Sequence, residues 1–208
     1  MGKSKYLEEE ELELMREALG EHAWLPLAVS LETGLRVGDV VKLQKRNLQP
    51  DGLHYRAKKT GKAGKATISA ALRRRLEQNR SGKWLFPSPY KPGKHLTRQC
   101  VWARIKRACK AQNIDSRGIS PHSMRKVFAV ELYRKRGFRA VQEALQHSNA
   151  ATTEIYSFAD WSTGENAESP LKRKDLELIV KMVIEALGDG YKLAAESKKK
   201  KRGTNPSS

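Results

Sequence analysis

The sequence predicts a mainly α-helical protein with one small three-stranded antiparallel β-sheet, an α+β arrangement. Apolar residues recur at helical spacing over most of the chain, as in YLEEEELELMREAL at its start. The stretch 45–69 differs, because the turn signals DG at 51–52 and TGKAG at 60–64 flank two short segments, LHYRA and ATIS. These two observations place a sheet within an otherwise helical chain.

The helices are delimited by their apolar spacing and by their end signals. A first helix covers YLEEEELELMREAL, and a second covers 22–32 and ends at Gly34, a residue suited to a helix C-terminus. A short helix, VGDVVKLQ, follows directly. Ser120 and Pro121 are an N-cap and a first helical residue. The remaining predicted elements are helices at 70–79, 97–111 and 121–136, a loop FPSPYKPG at 86–93, and two helices in AVQEALQHSNAATTEIY separated by a break at HSN.

The charge of the chain predicts a polyanionic partner. Lys and Arg number 41 against 23 acidic residues, which gives a formal net charge of +18. DNA and RNA are the commonest intracellular polyanions, and composition alone separates neither from an acidic membrane. A membrane is disfavoured, since no apolar run approaches the roughly 20 residues needed to span it and no signal peptide opens the chain. We expect a cytoplasmic protein.

The two cysteines predict packing thiols. Cys100 and Cys109 fall within one predicted helix, and no His or Cys lies nearby at metal-ligand spacing. We expect both to be reduced, and we expect no metal site.

Three stretches carry residues suited to phosphate chemistry. In TGLRVGDVVKL, Arg36 lies in a glycine turn with Asp39 three residues on, a way to fix a guanidinium before it meets an anion. The alternative is a surface ion pair. In SPHSMRKVFAVELYRKRG, His122 and Arg125 share one face of a helix N-terminus, where the helix dipole favours phosphate.

The third stretch is HSNAATTEIYSFAD, with His147 and Tyr156. A lone Tyr is usually an amphipathic packing residue, so this stretch alone does not predict chemistry.

Taken together, the order Arg, His-x-x-Arg, His and Tyr resembles the catalytic domain of the tyrosine recombinase (phage integrase) family. TGLRVGDVVKLQKRNL is similar to the first arginine box of that family, and PHSMRKVFAVELYRKRGFRAVQEALQHSNAATTEIY is similar to its second box. The resemblance covers roughly residues 5 to 160. It implies the fold of that catalytic domain and a prokaryotic, viral or mobile-element origin.

The resemblance implies a mechanism. Tyr156 attacks a DNA phosphodiester, forms a 3′-phosphotyrosyl link and releases a 5′-hydroxyl, and a second hydroxyl reverses the step onto a new strand. Covalent capture conserves the bond energy, so no cofactor is implied. Arg36, supported by Asp39, and Arg125 would clamp the non-bridging oxygens. His122 and His147 would donate hydrogen bonds or carry the tyrosine proton.

The family also uses a lysine on the turn between the second and third strands, as the acid that protonates the leaving oxygen. In AKKTGKAGKATIS this position resembles Lys59, and Lys58 and Lys62 crowd the same turn. Lys58, Lys62, Lys65 and Lys126 are interpreted as DNA-binding residues that neutralise phosphates.

The chain departs from the family at three points. Gln146 stands where a Gly usually precedes the second His, and Lys126 stands where a second His often follows the Arg of His-x-x-Arg. Only about twenty residues precede the first core helix, although the family generally carries a separate helical domain there. Two interpretations stay open: a naturally minimal recombinase, or a catalytic domain cut from a longer chain.

Three regions are expected along the chain: a catalytic domain over 1–170, an amphipathic helix over 171–190 and a basic disordered tail over 191–208. The helix carries a continuous apolar stripe. It either covers the core of its own domain or docks on a neighbouring subunit. The stripe consists of Leu176, Ile179, Val180, Val183, Ile184 and Leu187.

The function implied by the resemblance is site-specific recombination of double-stranded DNA by a homotetramer, with accessory DNA-bending factors as further partners and without a membrane. One alternative is a type IB topoisomerase, which relaxes supercoils as a monomer. The other is a non-catalytic DNA-binding regulator with the same fold. The regulator would require a replaced catalytic position, and none is replaced.

Overall fold

The computed structural model describes residues 4–56, 61, 63–78 and 82–145, with the side chains at 138, 139 and 142 excepted. Within these ranges the protein is mainly helical with one three-stranded antiparallel sheet, as predicted. The helices are α1 (Glu9–Thr33), α2 (Val37–Val40), α3 (Ala70–Gln78), α4 (Arg98–Ala111), α5 (Pro121–Arg136) and α6 (Phe138–Leu145). The strands are β1 (Leu48–Gln49), β2 (Gly52–Arg56) and β3 (Ala63–Ala66), and Lys45–Asn47 forms a 3-10 turn before β1.

Helix α1 joins the two helices predicted at the start of the chain. Its backbone departs from helical geometry at Gly20 (φ 68°, ψ 169°), so the two helical runs meet at a kink. Acidic side chains occupy its first turn, where the helix dipole stabilises them. Helix α1 ends at Gly34, as predicted, with φ at 67° and with the Gly34 N–H bonded to the Ser30 carbonyl.

The sheet has the predicted order but a different third strand. Strands β1, β2 and β3 are neighbours in sequence order, and Tyr55 of β2 faces Gly64 of β3. The prediction of a strand at ATIS (66–69) was wrong, because β3 ends at Ala66. Beyond Ala66 the chain leaves the sheet, and the Ser69 N–H and hydroxyl both bond to the Glu32 carboxylate at 2.8 and 2.9 Å.

The core forms where α1 packs against α4 and α5. Leu27 and Val29 of α1, Ile105 of α4 and Val130 of α5 are all 1% exposed or less. Each such side chain contributes about 1.5–3 kcal/mol relative to an exposed position. Cys109 is a buried free thiol in α4, and burial raises its pKa.

Helix α5 begins as its sequence predicts. The Ser120 hydroxyl accepts a hydrogen bond from the His122 N–H at 3.2 Å, and Pro121 occupies the first turn. This cap fixes where the His122 and Arg125 side chains leave the helix. None of the helices in the described ranges is long and apolar enough to cross a membrane.

The segment before α4 is a closed loop, as predicted for 86–93. The Leu96 N–H bonds to the Phe86 carbonyl at 2.7 Å, and the Ser88 N–H bonds to the Lys94 carbonyl at 2.9 Å. The Trp84 indole N–H bonds to the Gly93 carbonyl at 2.9 Å, and the ring packs edge-on against His95. These contacts give the loop a defined shape at the entrance to α4.

Gly34→Ala should destabilise the protein by at least about 2 kcal/mol, since it combines a left-handed backbone with overpacking. A Cβ at this position would lie 2.5 Å from the Phe128 ring. Urea unfolding measures the change. Gly38→Ala is the matched control, because a Cβ at Gly38 meets nothing within 4 Å. An equal effect of the two substitutions would contradict this account of the turn.

Candidate active site

Arg36 lies in a turn whose backbone is held by several hydrogen bonds. The Ser30 hydroxyl donates to the Leu35 carbonyl at 2.7 Å, and the Thr33 hydroxyl accepts from the Leu35 N–H at 3.2 Å. Arg36 itself is the N-cap of α2, and its carbonyl accepts the N–H of Asp39 at 2.8 Å. These contacts fix the backbone of the turn that carries Arg36, while the predicted role of its guanidinium stays a prediction.

Arg125 reaches the same turn from α5. Its guanidinium donates from Nη1 to the Gly34 carbonyl at 2.5 Å, and the residue is only 6% exposed. Arg36, Asp39 and Arg125 all line one small cavity of about 20 Å³. The fold thus brings together the two predicted clamp residues and the predicted support residue, which come from distant parts of the sequence.

His122 lies on the rim of a larger cleft that also contains Arg36. The cleft has a volume of about 1120 Å³ and lies between α2, the start of α4 and the start of α5. His122 is exposed at the N-terminus of α5, where the helix dipole favours a negatively charged ligand. The cleft therefore has an accessible imidazole and a guanidinium on its walls.

The cleft has further polar walls that motif reasoning did not identify. Lys42, His95, Arg98 and Trp102 line it, and Trp102 is 48% exposed. The Lys106 ammonium lies 5.8 Å from the centre of the Trp102 ring. The sequence feature that could have identified these residues is charge and not a motif. The segment 78–114 contains no Asp or Glu. Its basic residues are Arg80, Lys83, Lys91, Lys94, Arg98, Arg104, Lys106, Arg107 and Lys110.

Tyr55 is a second residue that the motifs did not identify. It lines the small cavity together with Arg36, Asp39 and Arg125. Burial raises the pKa of its phenol, the Arg125 charge lowers this pKa and the Asp39 charge raises it. The phenol therefore stays protonated at neutral pH and is able to donate a hydrogen bond.

Two of the predicted DNA-binding lysines have partners within the chain. The Lys65 ammonium on β3 pairs with the exposed Asp51 carboxylate at 3.0 Å. The Lys126 ammonium on α5 donates to the Ser4 carbonyl at 3.3 Å. Their contact with DNA stays a prediction.

The remaining predicted site residues lie outside the described residues. They are Lys58, Lys59, Lys62, His147 and Tyr156. In the described part of the chain, no three His, Cys, Asp or Glu side chains come together as metal ligands would.

Bacterial recombinases have sequences similar to that of this chain. The chain is 35% identical over 148 residues to the tyrosine recombinase XerD of Rhizobium meliloti, covering 65% of this chain and 46% of that protein. It is 31% identical over 174 residues to XerD of Agrobacterium fabrum, covering 70% of this chain and 52% of that protein. The chain therefore spans about half the length of the curated relatives that it matches.

Solved structures share the fold. A lambda integrase dimer bound to a core site superposes with a TM-score of 0.66 and 18% identity, covering 83% of this chain and 64% of that chain. The XerA recombinase gives 0.63 and 19% identity, with 88% and 64% of the two chains covered. These matches confirm the predicted fold class.

A family model extends this similarity over most of the chain. The model of the phage integrase family matches residues 5–161, a range that includes both arginine boxes and Tyr156. The protein belongs to the phage integrase family.

Proposed function

We propose that this protein is a site-specific recombinase that cuts and rejoins DNA strands through a 3′-phosphotyrosyl intermediate. The observation that carries the proposal is the meeting of Arg36 and Arg125 at one cavity, beside a cleft lined by His122. Two guanidinium groups, one held by the Gly34 carbonyl and one on a turn with a fixed backbone, suit a phosphodiester, whose two non-bridging oxygens share a negative charge.

The arginines act on the charge that develops during strand transfer. When a hydroxyl attacks the phosphodiester, charge accumulates on the non-bridging oxygens of the pentacoordinate phosphorus. Donors that are already in place stabilise that charge without reorganising during the reaction. The Gly34 carbonyl holds Arg125, and the N-cap position of α2 holds the backbone of Arg36.

Tyr156 is the nucleophile in this proposal, and the two histidines assist it. The phenol oxygen attacks phosphorus, the bond to the 5′-oxygen breaks, and the DNA stays joined to the protein. His122, at the open rim of the cleft, donates a hydrogen bond to a phosphate oxygen. His147 accepts or returns the phenol proton. Lys59 protonates the departing 5′-oxygen.

Charge supports DNA as the partner. The protein carries +18 overall, and the acid-free segment 78–114 supplies the outer wall of the cleft. Each lysine or arginine that neutralises a phosphate releases counterions, which makes such binding tight at low salt and sequence-independent. Lys58, Lys62, Lys65 and Lys126 are proposed as further phosphate contacts.

The assembly proposed is a homotetramer on DNA, in which the helix over 171–190 docks on a neighbouring subunit. Its stripe of six large aliphatic residues is too large an apolar surface for a protein to leave exposed to water. Recombination joins four DNA ends, so four subunits with linked contacts match the reaction. Accessory DNA-bending factors remain part of the proposal.

Recombination is favoured over the two alternatives. The relatives with the sequence similarity described above are recombinases by name, which favours strand exchange over relaxation of supercoils. A non-catalytic regulator would not need Arg36, His122, Arg125 and Tyr156 all to be kept.

Tyr156→Phe should abolish the covalent protein–DNA adduct and leave DNA affinity within a few-fold, because the substitution removes one hydroxyl and no cationic contact. The measurement uses a duplex with a nick beside the cleavage point, so that the released fragment diffuses away and the adduct accumulates. Denaturing gel electrophoresis then detects the adduct. An adduct formed by the Phe variant would rule out Tyr156 as the nucleophile.

Arg36→Ala should slow adduct formation at least about a hundredfold, the scale on which the loss of one charge-stabilising donor acts. Arg117→Ala is the matched control, since the exposed Arg117 guanidinium pairs with Asp115 and does not line the cleft. The control should cut at the normal rate. Equal rates for the two variants would show that Arg36 does not contact the reacting phosphate.

A substrate with sulfur in place of the 5′-bridging oxygen tests Lys59, because a thiolate leaves without being protonated. Lys59→Ala should be slow on the normal duplex and close to wild type on the sulfur duplex. Lys62→Ala is the comparison: the loss of a phosphate contact should affect both duplexes equally, with no rescue by sulfur. Failure of the sulfur duplex to rescue Lys59→Ala would move the acid to Lys58 or Lys62.

A further inference from the structure

The Tyr55 side chain packs over a glycine of the neighbouring strand. It faces Gly64 across the β2–β3 pair. A Cβ at Gly64 would lie 2.6 Å from both the hydroxyl oxygen and Cζ of Tyr55, so the phenol ring lies over the glycine. An aromatic side chain that covers a cross-strand glycine fixes strand register as well as its own direction.

Tyr55 lines the same small cavity as Arg36, Asp39 and Arg125. The Arg125 and Asp39 charges both act on its phenol. Tyr55 lies on the sheet, Arg36 and Asp39 belong to the turn after α1, and Arg125 comes from α5. Three parts of the chain that are distant in sequence therefore line the same cavity.

The cavity is too small for Tyr55 to act on the substrate. Its volume is about 20 Å³, which is room for a single water molecule. The phosphate of the proposed function therefore approaches the arginines from the cleft, which Arg36 also lines, and does not enter this cavity. The phenol is also a poor nucleophile there, because burial raises its pKa. Tyr55 is thus placed to act on the arginines and not on the DNA.

We propose that Tyr55 is a positioning residue that holds the guanidinium groups of Arg36 and Arg125 in the geometry of the reacting phosphate. Because its ring lies over Gly64, it also links this pair to strands β2 and β3, between which Lys59 lies in the sequence. The proposal rests on the proposed function, in which the arginines clamp the phosphate and Lys59 protonates the leaving oxygen.

Tyr55→Phe tests the hydroxyl, and Tyr90→Phe is the matched control, since Tyr90 is 72% exposed and lines neither the cleft nor the small cavity. On the nicked duplex, Tyr55→Phe should form adduct about tenfold more slowly, because small misplacements of a catalytic group have effects of this size. Tyr90→Phe should react at the wild-type rate, and DNA affinity should be unchanged in both. A Tyr55→Phe variant with the wild-type rate would overturn the proposal.

A second duplex separates positioning from general damage to the fold. Replacement of one non-bridging oxygen by a methyl group makes the scissile phosphate neutral and reduces its need for two guanidinium groups. The deficit of Tyr55→Phe should shrink to about twofold on this methylphosphonate duplex, because the charge that the arginines stabilise is smaller. An undiminished tenfold deficit would mean that Tyr55 acts on the fold alone and would overturn the proposal.

Gly64→Ala tests the glycine on which the ring rests. Its Cβ would push the phenol away from the arginines, so it should reproduce the rate deficit of Tyr55→Phe and its reduction on the methylphosphonate duplex. Tyr90→Phe is again the control, since Tyr90 lines neither the cleft nor the small cavity. A folded Gly64→Ala protein that forms adduct at the wild-type rate would contradict the proposed link between the hairpin and the arginines.

Hydrogen exchange of the Arg125 guanidinium tests the role of Tyr55 without DNA cleavage, and so separately from the proposed function. In protein labelled with 15N-arginine, the guanidinium N–H signals of buried Arg125 report exchange with solvent. This exchange should be about tenfold faster in Tyr55→Phe and unchanged in Tyr90→Phe. If the unsubstituted protein forms no adduct, the proposed function fails while this exchange still decides the role of Tyr55. Equal exchange in all three proteins would overturn that role.

Discussion

The hydrogen bond from the Arg125 guanidinium to the Gly34 carbonyl is the contact on which the arrangement of the site depends. It joins the C-terminal cap of α1 to the N-terminal part of α5, two helices that also share the core. The turn after Gly34 carries Arg36, so the same bond holds Arg125 beside the backbone that carries Arg36. Phe128, one helical turn beyond Arg125, packs against Gly34 and leaves no room for a Cβ there.

The same hydrogen bond lowers the free-energy cost of burying the Arg125 charge. Arg125 is almost fully buried, and a buried cation loses the hydration that stabilises it in water. Hydrogen bonds to backbone oxygen offset part of this cost, and they leave the positive charge intact. In the proposed function, this buried charge and that of Arg36 are in place before a phosphate binds, which is the condition for stabilising a transition state without reorganisation.

Much of this arrangement was predictable from the sequence, and the exceptions have physical reasons. Gly34, Ser120 and Pro121 have local conformational preferences, so the C-terminal end of α1 and the start of α5 followed from the residues themselves. Strand β3 did not, because Ala-Gly-Lys-Ala has low β-propensity and resembles a turn. It is held by pairing with β2 and by the Tyr55 ring, which are contacts between strands. The same holds for the cleft walls at His95 and Trp102, which the fold brings to Arg36 and His122 without any shared motif.

The bond between Arg125 and Gly34 spans 91 residues of sequence, and the Lys126 contact to Ser4 spans 122. Contacts of such high sequence separation form late in folding, since a long loop must close before they contribute. During synthesis α1 leaves the ribosome before α5 exists, so the part of α1 that packs against α5 stays uncovered until α5 has been made. The β1–β2 hairpin, in contrast, closes within a few residues. A nascent chain therefore closes this hairpin before Arg36 and Arg125 meet, and a translational pause before α5 prolongs the exposure of that part of α1.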